Sequence, residues 1–460
     1  MISINPIEKQ SKAVAEMSPS WEIIGDLLGG TQRMRERGET YLPKWEKEGD
    51  RAYRYRLNTA TIFPVLSRTV EILAAKPFSK PLQLNDNVPE NIVAWAENID
   101  LQGHDLQAFA SDIFSETLAY GLSGVLVDSP KKDDGIRTQA DEKAAGVRPF
   151  FVHYSPWNVI GWRTETVGGV TRIIQLRLRE RRMEPTGDYG DAEVEYIRVL
   201  TPGAWQLWRK TEKSEWVLYG EGITGLSEIP FVAFYGNRNK GFMMADPSLM
   251  ELAYQNIEHY QSSSDQRSIM HVARVPILFA RGFDETDKIM VGMSSAVKAT
   301  SPAAELQFVE HSGSSIGAGR QSLIDLEERM RQTGAELLVL QPGKITATQV
   351  YTEDEGNKCV LQRIVENFED SLNQCLQFMA DLSGQKTGGT VELFKDFGAA
   401  TLTDASAQLL LSANQAGKLS DETLISEFKR RGILSPEIDA EKEKEMIDSQ
   451  GPAFGTINSA

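Results

Sequence analysis

LQRIVENFEDSLNQCLQFMADL, residues 361–382, carries the periodicity that decides the architecture. Its apolar residues Leu361, Val365, Phe368, Leu372, Cys375, Met379 and Leu382 step alternately by four and three, which puts them on one helix face. A long helix is predicted over about 352–383. Such a seam is covered either by the chain's own core or by another subunit. Upstream lies the breaker Gln341-Pro342-Gly343-Lys344, and before it a second helix is predicted over about 314–340. That helix places Leu323, Leu326, Met330, Leu337 and Leu340 at heptad-like spacing, with Thr333 at the remaining seam position. A third long helix is predicted to open at Asp246-Pro247, since Asp caps free N–H groups and Pro suits the first helical position. Its apolar face is Leu249, Leu252, Ala253, Ile257 and Tyr260, and Pro276 bounds it. Between these two helices, residues 273–312 read as a small α/β module. It holds Ile277-Leu278-Phe279, a short helix near 284–291, and strands over 296–300 and 306–309.

Working outward, residues 1–50 read as helical and charged, with Arg33, Arg35, Glu36 and Arg37 close together. A helix is predicted over 60–75, ending before Lys76-Pro77, and another over 106–120. Gly121 and Gly124 then lead into the buried-strand run 125–128, and 129–147 is a polar loop. From 150 to 234 the chain reads as short strands at 151–154, 172–181, 194–200, 205–209 and 216–219. Past the long helices come a lone strand over 390–397, two shorter helices punctuated by Gly417, Ser420, Gly432 and Pro436, and an acidic tail.

The composition sets bounds. At 460 residues the chain calls for roughly two to four domains. Asp+Glu 65 against Lys+Arg 49 gives a net charge of −16, which disfavours a tight grip on nucleic-acid phosphates but would let a polyanion slide past. Cys359 and Cys375 fall sixteen positions apart on one predicted helix, about 24 Å of rise, so they cannot bond within it. The N-terminus shows no basic region followed by an apolar stretch, and no apolar run approaches the ~20 residues of a membrane span. The expectation is synthesis in the cytosol, with no membrane partner.

Chemistry is sparse. Gly343-Lys344 is followed by Ile345, and Leu338 stands where a phosphate loop needs its first glycine, so a motor is not expected. The five histidines, His104, His153, His259, His271 and His311, match no zinc spacing. Gly313, Gly317 and Gly319 read as a flexible joint before the second helix. Asp284, Glu285 and Asp287 lack the glycine and ligand spacing of a calcium loop and read as a solvated helix start. Glu327, Glu328, Arg329 and Arg331 form a mixed charged face, either solvated or lining something. Lys344 sits in the projecting Pro-Gly loop, where repetition around a ring would make a positive belt.

In this order, the parts resemble those of a tailed-bacteriophage portal protein (head-to-tail connector) of a prophage-associated family. The local stretches are Tyr53-Arg54-Tyr55-Arg56, Ala75-Lys76-Pro77-Phe78, 124–130 (GVLVDSP), 246–261, Pro276-Ile277-Leu278 and 334–338 (GAELL), and the resemblance spans about 30–435. It implies an α+β multi-domain portal fold, with residues 1–245 and 384–402 as a mixed α/β wing. Residues 246–271 and 313–340 would be paired stem helices, 272–312 a small α/β clip and 341–350 a tunnel loop. A long kinked helix would cover 351–383, and a helical crown with the acidic tail 403–460. The resemblance further implies a homo-oligomeric ring, usually a dodecamer, at one capsid vertex of the virion, assembled in the host cytoplasm. Double-stranded DNA would pass through it during packaging and ejection. Implied partners are the terminase large subunit, the major capsid and scaffolding proteins, and head-completion or adaptor proteins. Gln341, Lys344, Gln349, Arg329 and Arg331 become candidates for the channel and tunnel loop, and Asp284, Glu285, Asp287 and Lys288 for clip docking. No catalytic residue, metal or cofactor is expected. The competing readings are a monomeric phage adaptor or scaffold protein, separated by ring assembly, and a metal-dependent nuclease, separated by turnover.

Overall fold

Helix α1 (Lys12–Leu28) starts where Ser11 Oγ accepts a hydrogen bond from the Val14 amide, 3.3 Å. Pro19 lies inside it, and the Ser18 hydroxyl donates to the Ala15 carbonyl that proline leaves without a donor. The computed structural model describes residues 6–130, 146–236, 240–274, 277–282, 303–309, 314–338 and 359–395, with parts of 397–446. After α1 come α2 (Gly30–Arg37), α3 (Asp50–Thr59), α4 (Val65–Ala75), α5 (Glu90–Trp95) and α6 (Leu106–Tyr120). Helix α4 begins five residues later than predicted, because Pro64 precedes it and residues 60–63 run outside the helix.

Helix α6 is capped by Asp105, whose carboxylate accepts from the Ala108 amide at 2.7 Å, and it ends at Gly121 with φ +80°. A Cβ at Gly121 would stand 2.3 Å from the Asp246 carbonyl oxygen, so glycine serves both the left-handed turn and the close approach. The chain then enters β2 (Leu122–Asp128), the centre of a three-stranded antiparallel sheet in the order β3 (Phe150–Tyr154), β2, β9 (Phe231–Tyr235). Gly124 lies under the Phe231 ring, and a Cβ there would be 2.1 Å from Cζ. Gly124→Ala is therefore expected to cost about 1–3 kcal/mol by overpacking, read as a lowered denaturant midpoint. An unchanged midpoint would mean that the Phe231 ring moves aside freely.

The second sheet is a five-stranded meander in sequence order: β4 (Val159–Val167), β5 (Val170–Thr186), β6 (Gly190–Thr201), β7 (Ala204–Lys210) and β8 (Trp216–Ile223). The sequence reading missed β4 and undercounted β5 and β6. One face, with Leu176, Leu178 and Leu200, packs on Val14, Met17 and Trp21 of α1. The other buries Ile197 and Trp216 beneath Ile7 of the N-terminal segment. The β5–β6 ladder continues to Thr186↔Gly190, beyond the core, and at its tip Tyr189 is fully exposed.

Two long helices follow, α7 (Met250–Ala273) and α8 (Ser314–Ala335). Helix α7 opens at Met250 rather than at Asp246-Pro247. The Asp246 carboxylate pairs with Lys240 Nζ at 2.9 Å instead of capping a helix, and its carbonyl is packed on Gly121. Between α7 and α8, β10 (Ile277–Arg281) and β11 (Glu305–Val309) form an antiparallel ladder. The helix predicted near 284–291 and the strand at 296–300 lie outside the described residues. Gly317 and Gly319 are no joint: both are inside α8, and Gly319 lets Gln266 approach so closely that a Cβ would meet its Oε1 at 2.1 Å.

Helix α9 (Val360–Ser383) is one uninterrupted helix over its described length, while 352–358 lies outside the described residues. Its predicted seam is buried from Leu361 to Met379, joined by Ile364, Leu376 and Phe378, against α6 and the three-stranded sheet. Of the two covers open for this seam, the chain's own core is the one observed, and no neighbouring subunit is needed to bury it. Cys359 and Cys375 are both free and buried, and burial pushes the Cys375 thiol well up. The buried Glu369 accepts from the Leu393 amide (2.6 Å) and Lys395 Nζ (2.9 Å). This pins the strand after α9: β12 (Val391–Glu392) pairs with β1 (Gln83–Leu84), so the strand predicted as lone has a partner. Helix α10 (Asp421–Arg430) is capped by Ser420, as its sequence predicts. The molecule is an α+β multi-domain protein.

Candidate functional site along the helical hairpin

The α7–α8 pair is antiparallel, and polar side chains set its register. Gln255 Nε2 donates to Thr333 Oγ1 (3.1 Å), His259 Nε2 lies 3.4 Å from Glu327 Oε1, and Gln266 Nε2 donates to the Ile316 carbonyl (3.0 Å). The near half is fixed in the core by Leu252, Ala253, Tyr260, Leu326 and Met330. Buried Asn256 completes that anchor: Nδ2 donates to the Phe63 carbonyl (2.9 Å) and Oδ1 accepts from the Leu66 amide (3.3 Å). The bond to Oδ1 satisfies the Leu66 amide, one of the first-turn N–H groups of α4 that have no intrahelical partner, and Nδ2 adds a second donor to the Phe63 carbonyl, which also accepts from the Val65 amide. The far half is more exposed and ends in the β10–β11 ladder. Tyr254, Ile269, Phe279, Leu306 and Ile324 are apolar residues exposed along this arm.

Arg329 and Arg331 are exposed, on α8 beside Glu258, Glu327 and Glu328. Arg329 Nη2 is 3.8 Å from Glu258, and Arg331 Nη1 is 3.1 Å from Glu328 with Nη2 3.7 Å from Glu327. The pairs leave this face mixed in charge rather than basic. Gln341, Lys344 and Gln349, and the clip candidates Asp284, Glu285, Asp287 and Lys288, lie outside the described residues. His259 stacks on Phe63 with centroids 5.2 Å apart, a packing role. Among the described residues no group of three His, Cys, Asp or Glu could hold a metal ion, and no helix is long and apolar enough to cross a membrane.

Three ionic supports escaped the sequence reading. Arg56 of α3 donates from Nε and Nη2 to the two oxygens of Glu48 (2.9 and 2.7 Å), and to the Pro43 carbonyl (2.7 Å). Its guanidinium lies 4.3 Å from the Trp45 ring centroid, and Asp265 of α7 is 4.0 Å away. Likewise Asp26, buried in α1, accepts from Arg33 (2.8 Å), Arg37 (2.7 Å) and Tyr41 (2.8 Å). The clustered arginines of the N-terminal region are thus structural.

The third support joins the two sheets. Arg198 reaches Glu180 and Asp128, each at 2.6 Å, while the Tyr154 hydroxyl and Arg182 also donate to Glu180. Burial pushes the Glu180 carboxyl up, but the Arg198 charge and the bonds from Tyr154 and Arg182 outweigh it and hold it below the usual range. A depressed native pKa contributes stability that is full above the unfolded value, about 4.3, and lost as pH falls through the native one. The melting temperature of the wild type is expected to fall more steeply below about pH 4 than that of Glu180→Gln. Parallel curves would sink this assignment.

The family described as Domain of unknown function (DUF4055) matches residues 248–383, less than half of the chain. No match was found among curated proteins. Among solved structures, a chain from the neck of an empty GTA particle computed with C6 symmetry is 11% identical, covering 80% of this chain and 90% of its own, with a TM-score of 0.38. A chain from the virion of a native gene transfer agent particle is 11% identical over 80% of this chain and 89% of its own, with a TM-score of 0.37. One from the neck of a native GTA particle computed with C12 symmetry covers 81% and 90%, at 11% identity and a TM-score of 0.37. At this identity and TM-score the likeness carries no residue role across.

Proposed function

We propose that the chain is a portal-type subunit of a phage-like particle. It would assemble into a ring at one capsid vertex and serve as the conduit for DNA packaging and ejection, without catalysing a reaction itself. The observation that carries this reading is the α7–α8 hairpin. It is rooted in a mixed α/β body at one end and tipped by the β10–β11 ladder at the other. The body would be the wing, the hairpin the stem, and the tip the clip that meets terminase and later head-completion proteins. The exposed apolar residues of the arm suit contacts between neighbouring subunits, since a closed ring covers them and a lone chain does not. The carboxylate-paired Arg329 and Arg331, on a chain of net charge −16, suit a wall past which phosphates slide without being held. Within this reading Lys344 faces the channel. Lys344→Ala is expected to lower DNA retention, and unchanged packaging and retention would remove Lys344 from it.

Negative-stain electron microscopy of the purified full chain, alone and co-expressed with capsid and scaffolding proteins, tests the ring. Rings with a central hole, with a subunit number near twelve, are the expected result. Compact single particles under both conditions would replace the ring with a monomeric adaptor.

A further inference from the structure

Five arginines of the meander, Arg172, Arg181, Arg182, Arg198 and Arg209, each pair with a glutamate or aspartate. Two others do not. Arg163 on β4 and Arg177 on β5 line an open groove of about 530 Å³ between the sheet and residues 6–10, together with Lys9, Gln175, Gln206 and Trp208. No carboxylate lines this groove, although the chain carries 65 of them. Arg177 is held in place by Nη1, which donates to the Pro6 and Ile7 carbonyls at 3.1 and 2.8 Å. Gly161 lets its guanidinium lie flat, since a Cβ there would stand 3.0 Å from Nη2. Among the described residues its Nε and Nη2 have no hydrogen-bond partner, and Arg163 has no ion pair. Burial, then the neighbouring Arg163 charge, hold the Arg177 guanidinium below its usual range. A half-buried, uncompensated Arg177 beside the like charge of exposed Arg163 is costly, and an anion seated between them would relieve it.

We propose that this groove binds a small phosphate-bearing anion through Arg163, Arg177 and Lys9, with Gln175 as an amide donor. Guanidinium forks match the oxygens of phosphate and carboxylate alike. Charge favours phosphate: three cations converge, and a phosphate monoester brings about −2 where a single carboxylate brings about −1. The site is on the meander, away from the α7–α8 hairpin, and stands or falls independently of the ring.

Isothermal titration calorimetry of the full chain with inorganic phosphate tests it, with succinate as the dicarboxylate comparison. Wild type is expected to bind phosphate, and Arg163→Gln to weaken that binding by about tenfold or more. The exposed Arg163 has no structural partner, so this variant keeps the fold. Arg181→Gln, on the same strand as Arg177 but outside the groove, should bind as wild type does. Absence of phosphate binding, Arg163→Gln binding as tightly as wild type, or succinate binding equally well would each overturn the proposal.

Discussion

Phe368→Ala is expected to destabilise the protein by about 3–5 kcal/mol. The side chain is 1% exposed at the middle of α9, where the helix crosses the three-stranded sheet. Its ring meets Phe114 edge-on at 5.0 Å and Phe234 at 4.8 Å, so truncation removes two aromatic pairs as well as buried area. The surrounding elements come from three distant parts of the chain, which limits how far the cavity can collapse. Denaturant unfolding measures the loss, and Phe368→Leu should lose clearly less because it refills most of the volume. A loss below about 1 kcal/mol for the alanine variant would show that the cavity closes and that the contact of α9 with α6 and the sheet carries little of the stability.

Arg56→Ala is expected to cost a similar amount, about 3–5 kcal/mol, by a different route. Glu48 is 3% exposed, and its carboxyl is held low chiefly by the hydrogen bonds from Arg56. Removing Arg56 leaves a buried carboxylate without a counter-charge, strips the Pro43 carbonyl of its donor, and uncovers Trp45. Arg56→Lys should not rescue it, because a single ammonium cannot make the two-oxygen contact. Arg56→Met combined with Glu48→Leu should recover most of the stability, since the pair's desolvation cost disappears with its attraction. A double-mutant cycle reads the coupling directly, and a coupling near zero would leave the Tyr53–Arg56 stretch as surface decoration.

The long helices were legible because burial imposed a period on them: Leu361, Val365, Phe368, Leu372, Cys375 and Met379 all reach the core. Strand β4 was not, because Val159, Ile160 and Gly161 are all buried while Arg163 to Val167 are all exposed, so no alternation exists to read. The two-residue ladder of β1 and β12 is too short to carry a pattern. Asp246-Pro247 looked like a helix start because the signal is local, whereas the Lys240 pair and the Gly121 contact that claim Asp246 are not. The same holds for the ionic supports. Arg56 and Glu48 are eight positions apart, but Arg198 and Asp128 are seventy apart, and nothing in the spelling of either segment joins them. Of the candidate site residues, the sequence singled out Arg329 and Arg331 as part of a charged face. It could not say that Glu258, from the other helix, shares that face.

The overhanging tip of the β5–β6 hairpin gives the experimenter a handle. Residues 187–189 touch neither sheet face nor any helix core, so an epitope or a small fluorescent module spliced between Gly187 and Tyr189 disturbs no buried contact. On a single chain such a label is a mere bump. On a closed assembly it becomes a row of fiducials, one per subunit, whose count and radius a low-resolution image can read.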